Sequence, residues 1–172
     1  MPAQWICPNG KCFMEEEHLR QTIEDWVFNH LSKPNTTTGL VLCPFAKAAW
    51  LENKVNIVFQ KGEFLQEVVD QAYTFDDTYD VVICVQPYPE QEYDSLDMAC
   101  VALNKMLSKE KKDVWLLSFQ TDFAMVFVQR LTDLDDASQK LEKMGYYKSY
   151  SSHDYDRLVN ERRKRRQEYA RN

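Results

Sequence analysis

Val81-Val82-Ile83-Cys84-Val85 is an unbroken apolar run, four of its five residues β-branched. Alternation would mark a strand wet on one face; a continuous run of this kind marks a strand covered on both. A chain holding such a strand needs helices on both sides of a sheet, and the neighbouring segments supply them. Val55–Phe59 reads as a strand. Phe64, Leu65, Val68, Val69, Ala72 and Tyr73 recur at helical spacing, as do Leu96, Ala99, Cys100, Leu103 and Leu107. Val114–Leu117 reads as a further buried strand. Phe123–Val128 follows it after only Gln120-Thr121-Asp122, a turn too short for a crossover, so it should run antiparallel. Leu134, Ala137, Leu141 and Met144 mark one more helix, stopped at Gly145. The pattern predicts an α/β layered domain with a small mixed, mostly parallel sheet of about four strands flanked by helices.

Upstream, residues 1–13 read as an N-terminal arm around a Pro-Asn-Gly turn. Leu19, Ile23, Trp26, Val27, His30 and Leu31 form the apolar stripe of a helix, and a polar loop from Pro34 ends at Gly39. The expected organisation is an arm over 1–13, a single α/β domain over 14–150 and a basic C-terminal helix over 151–172. A length of 172 residues suits one core.

Composition excludes several functions. The four glycines lie far apart and no GxG occurs, which rules out the glycine-rich dinucleotide fingerprint and the P-loop. No apolar stretch approaches the ~18 residues of a membrane span. The start of the chain lacks a basic region followed by an apolar run, and the cysteines are odd in number at five. Both features suit free thiols in a reducing cytoplasm. The net charge of −6 is unevenly placed. From Arg157 onward, seven basic residues stand against two acidic ones, a local +5 that leaves −11 on the rest.

The segment Leu42-Cys43-Pro44-Phe45-Ala46-Lys47 carries the most chemistry. Proline favours the first helical position, which would put Cys43 at the N-cap. There the helix dipole and free backbone N–H groups would favour a thiolate nucleophile, with Lys47 adding positive charge. The same residues also suit a packed corner with a small buried thiol. This segment, with Val55-Asn56-Ile57-Val58, resembles an uncharacterised bacterial family, a domain of unknown function with a Leu-Cys-Pro-Phe-Ala signature. Glu24-Asp25-Trp26, Tyr93-Asp94-Ser95-Leu96 and Leu117-Ser118-Phe119 resemble further blocks of that family, so the likeness covers roughly residues 20–128. The chain departs from the pattern at Gln120-Thr121, where the family has His-Pro, and lacks the Asn-Arg-Ser-Pro-Tyr-Pro block over 129–172. A weaker resemblance is to glutaredoxins and thiol glutathione transferases, which also start a helix with Cys-Pro-Phe. Ala46 replaces their resolving cysteine, and Pro87 follows a strand where their cis-proline precedes one.

Other candidates are simpler. Cys7 and Cys12, with His18 or Cys43, could complete a zinc site; two incidental thiols on a turn, or a disulfide formed only on oxidation, fit the same spacing better. No other cofactor is predicted. Lys61, Tyr88 and Gln120 fall near the C-terminal ends of strands, where parallel α/β sheets bind ligands. The run Arg162-Arg163-Lys164-Arg165-Arg166 reads either as a solvated helix end or as a contact for a protein or nucleic-acid partner. Tyr169 is the one aromatic residue beside it, so a base-stacking platform is absent. Two functions follow: an interaction or accessory protein using its basic C-terminal helix, or a thiol-dependent enzyme or redox protein with Cys43 as nucleophile.

Overall fold

The computed structural model describes residues 5–6, 13–14, 16–36 and 39–170. Two short strands, β1 (Trp5–Ile6) and β2 (Phe13–Met14), pair antiparallel as a separate ladder. Then come α1 (Glu16–Trp26), which runs on into a π-helical turn at Val27–Leu31, and the short α2 (Ala46–Leu51). The main sheet and its helices follow as β3 (Val55–Phe59), α3 (Phe64–Thr74), β4 (Val81–Gln86), α4 (Tyr93–Lys109), β5 (Trp115–Gln120), β6 (Ala124–Gln129) and α5 (Leu131–Lys143). Past Gly145 and a 3-10 turn at Tyr146–Ser149, the chain ends in α6 (Ser152–Tyr155) and α7 (Glu161–Ala170), joined by a π-helical turn at Asp156–Asn160. Among the described residues no helix is long and apolar enough to cross a membrane.

The α/β class and the four-stranded mixed sheet match the sequence pattern; the balance of pairing does not. The strand order is β3-β4-β6-β5. Only β3 and β4 pair in parallel, and both neighbours of β6 run against it, so the sheet is mostly antiparallel, not mostly parallel. The cause is the place taken by the return strand. β3, β4 and β5 all point the same way, as the helical crossovers demand. The tight turn after β5, closed by the Thr121 N–H on the Phe123 carbonyl, sends β6 back between β5 and β4. It thereby separates two strands that would otherwise have paired in parallel.

Insertion at the centre explains the composition of β6. Ala124 to Phe127 and Val128 are all buried, as a strand covered on both faces requires. Register keeps the two core layers in phase across the sheet. Val58, Cys84, Val126 and Ser118 line up toward one face; Ile57, Ile83, Phe127 and Leu117 line up toward the other. The first face packs against α3 and α4 through Phe64, Val68, Leu96, Cys100 and Leu107. The second packs against α1 and α2 through Leu19, Ile23, Trp26 and Trp50. Trp26 stacks on Phe127 with ring centroids 6.1 Å apart and meets Phe119 edge-on, which fixes the end of α1 over the middle of the sheet. Gly145, at φ 79°, ends α5 in the left-handed conformation that a side chain would strain.

Candidate functional site

The Cys43 corner is built differently from the expected helix cap. Phe45 occupies the N-cap position of α2, and Cys43 lies two residues before it. Pro44 and Phe45 form a turn first, so the free N–H groups of this six-residue helix begin beyond the cysteine. Leu40–Leu42 does not join the sheet; an isolated bridge between Val41 and Pro34 closes the preceding loop. The Cys43 N–H donates to the Leu31 carbonyl at 2.9 Å, tying the corner to the end of the first helix. The Tyr146 hydroxyl reaches the carbonyls of both Val41 and Leu42 at 2.6 Å. Burial and the neighbouring Tyr150 raise its pKa, with Cys43 a further, smaller influence, so this hydroxyl stays protonated and donates. Lys47 turns its ammonium toward the face of Phe28, 5.8 Å from the ring centre. Cys43 is half-buried, whereas Cys84 and Cys100 are 2% exposed. Burial pushes both of those thiols up to about 12.

At the C-terminal ends of the strands, the predicted ligand residues lie just after β3, just after β4 and at the end of β5. The Lys61 and Gly62 N–H groups both donate to the Glu67 carboxylate, while Lys61 itself is exposed. Tyr88 lies beyond β4 and is 36% exposed. Gln120 joins an amide chain: its Nε2 donates to the Gln91 carbonyl at 3.1 Å, and Gln91 Nε2 donates to Gln86 Oε1 at 2.6 Å. Gln120 Oε1 is buried without a donor. Beside this chain, Ser118 donates to Asp97 at 2.8 Å, and Arg157 reaches the same carboxylate oxygen at 2.7 Å. These bonds hold the last helices against α4.

Of the residues suggested for zinc, Cys7 and Cys12 lie outside the described residues. His18 is half-buried on α1, and its carbonyl accepts the Thr22 hydroxyl at 2.8 Å. Among the described residues no three His, Cys, Asp or Glu side chains gather as metal ligands.

The basic run is the most organised feature, and it is largely engaged by its own chain. Arg162 donates to Ser138 at 2.9 Å and is held below the ordinary arginine value by burial, with its Nε lacking a partner. Arg165 is 6% exposed. It lies over the Trp115 ring and donates to Asn104 and the Lys112 carbonyl, both at 3.3 Å. Burial lowers its pKa to about 10, which leaves it cationic at neutral pH. Arg163 bonds Glu142 at 2.8 Å and approaches Asp135, and Arg166 bonds Asp135 at 3.0 Å and also pairs with Asp136. The Tyr155 hydroxyl bonds Glu142 as well; that bond first and the Arg163 bond second hold the Glu142 carboxyl below its usual range. Lys164 points outward, exposed.

Asp135, Ser138 and Glu142 were missed as partners of this run. The signal was available in their spacing: positions 135, 138 and 142 share one face of α5 at i, i+3, i+7, and that face is polar. Between α5 and α7 the pairing leaves a groove of about 460 Å³, lined among others by Asp135, Gln139, Glu142, Lys143, Arg163 and Arg166. The Asp135 side chain is 3% exposed there, and its Oδ1 lacks a hydrogen-bond donor. No protein-family model, curated protein or solved structure matches the chain.

Proposed function

We propose that this chain is a non-enzymatic interaction protein, and that its basic C-terminal helix, docked on α5, offers a charged groove to an acidic segment of a partner protein. The observation that carries this reading is the groove itself. It contains polar and charged groups and no thiol or imidazole. Its two carboxylates already have arginine partners, whereas Lys143 is exposed at its wall and Lys140 and Lys164 are exposed on the same two helices. The cationic charge left over faces outward and favours an acidic guest.

Titration of the ¹⁵N-labelled chain with a glutamate-rich decapeptide, followed by NMR, tests this. Shifts should concentrate at Gln139, Lys143 and Gln167, weaken as salt rises, and vanish in Lys143→Glu. Shifts elsewhere, or none, overturn the reading. Stronger shifts with a single-stranded RNA of equal charge would transfer the groove to nucleic acid.

A second reading makes Cys43 a nucleophile. One observation favours it: this thiol is half-exposed while the other two described cysteines are sealed in the core.

A further inference from the structure

We propose that the outer edge of β3 is the seam of a symmetric homodimer, formed by antiparallel pairing of β3 with β3 of a second copy about a two-fold axis at Ile57. The strand order leaves two edges, β3 and β5, and the molecule treats them differently. The β5 edge is closed by a side chain. Asn104 of α4 is 6% exposed, accepts the Leu116 N–H and donates to the Leu116 carbonyl, each at 2.9 Å. It therefore replaces a missing neighbour strand, and Arg165 covers the adjacent Trp115 ring. At the β3 edge, among the described residues, Val55–Phe59 find backbone partners only in β4, and β1 and β2 pair only with each other.

The chemistry of β3 also differs from that of a protected edge. Val55-Asn56-Ile57-Val58-Phe59 contains no charge, proline or glycine, the devices that usually keep an open edge from pairing. Val55, Asn56 and Val58 are half-exposed along it.

A second copy is the occupant that fits. The two-fold register places Val55 opposite the partner's Phe59, a β-branched residue against an aromatic ring. Both belong to the layer facing α1, so the core layers of the two sheets continue across the seam in phase. No charged residue lies within the pairing, so no like charges are opposed. The flanks are complementary. Glu52 before β3 and Lys61 after it are both exposed and opposite in charge, and the two-fold register brings Glu52 of one copy to the same end of the seam as Lys61 of the other, a placement that symmetry repeats.

Sedimentation equilibrium of the full chain, with light scattering across a concentration series, tests the seam. A mass twice that of the chain is expected, with amides of β3 protected from exchange. Asn56→Lys brings two like charges within diagonal reach across the axis and should weaken association at least about tenfold. Should that variant fail to fold, Lys61→Glu should weaken association several-fold and Glu52→Lys/Lys61→Glu should restore it. A chain that is monomeric throughout overturns the proposal. So does a dimer indifferent to both the edge variant and the charge exchange.

Discussion

Asp135 on α5 and Arg166 on α7, 31 positions apart, meet at 3.0 Å, with the carboxylate side chain 3% exposed and the guanidinium 28%. This contact makes the C-terminal helix part of the fold. Asp135→Ala would leave Arg163 and Arg166 facing an empty buried site. Each retains some water and a second acidic partner, so the cost falls near the low end for a broken buried pair, about 2–3 kcal/mol. Urea denaturation measures it. A change within about 0.5 kcal/mol, the range of ordinary surface substitutions, would show that the arginines do not need this carboxylate.

Asn104→Ala removes both partners of a buried backbone unit at once. Each unpaired group costs about 1–3 kcal/mol, so a loss of about 2–6 kcal/mol is expected. Asn104→Asp keeps the acceptor for the Leu116 N–H and sets its carboxylate beside Arg165, but it cannot donate to the Leu116 carbonyl, so it should lose stability yet lose less than the alanine variant. Equal stability of the parent and the Asp variant would show that the amide donor contributes nothing.

These two contacts also mark where the sequence was readable. The strand at Val81–Gln86 was legible because its burial depends on local composition alone. The helices around it were legible because their apolar residues recur at helical spacing, and Gly145 because stopping a helix is a local act. The antiparallel direction of β6 followed from its short turn. Its central position did not, because a hairpin can add to either edge of a sheet or insert within it. Cys43 stands outside the helix cap because proline marks a turn as readily as a first helical residue, and here the turn of Pro44 and Phe45 comes first. Arg162–Arg166 reads in the sequence as one solvent-facing or partner-facing run, because periodicity within it says nothing of the acids on α5 that receive it. The expectation of a ligand at Lys61, Tyr88 and Gln120 rests on how parallel sheets bind, and the main sheet has one parallel pair.

Thiol exposure separates the cysteines. In a Cys7→Ser/Cys12→Ser background at pH 8, a disulfide reagent should modify one thiol of the native chain rapidly, and Cys43→Ser should abolish that phase. Cys84 and Cys100 should react only on unfolding, being buried and protonated. Rapid native modification of either would contradict its burial.

The same burial sets an alkaline limit. The folded pKa of both thiols, about 12, lies above the ordinary value of 9.0. Their contribution is therefore complete below pH 9 and falls as pH rises toward 12, because the unfolded chain releases the protons first. The slope is at most about 1.4 kcal/mol per pH unit for each thiol. Cys84→Ala/Cys100→Ala should flatten the loss between pH 9 and 10.5 in denaturant melts. An unchanged slope would place the loss on other groups.

The central place of β6 has a consequence for how the chain is made. Both partners of β6 precede it in the sequence, so a nascent chain released as far as β5 holds β4 and β5 facing a gap. That gap closes only when Gln129 has left the ribosome. Until then the β3–β4 pair exposes a second open edge and two half-formed core layers. The hairpin of β5 and β6 completes the sheet, and the carboxyl-terminal helix that seats on α5 follows it in the chain. A chain interrupted between β5 and β6 should thus be the form most in need of a chaperone.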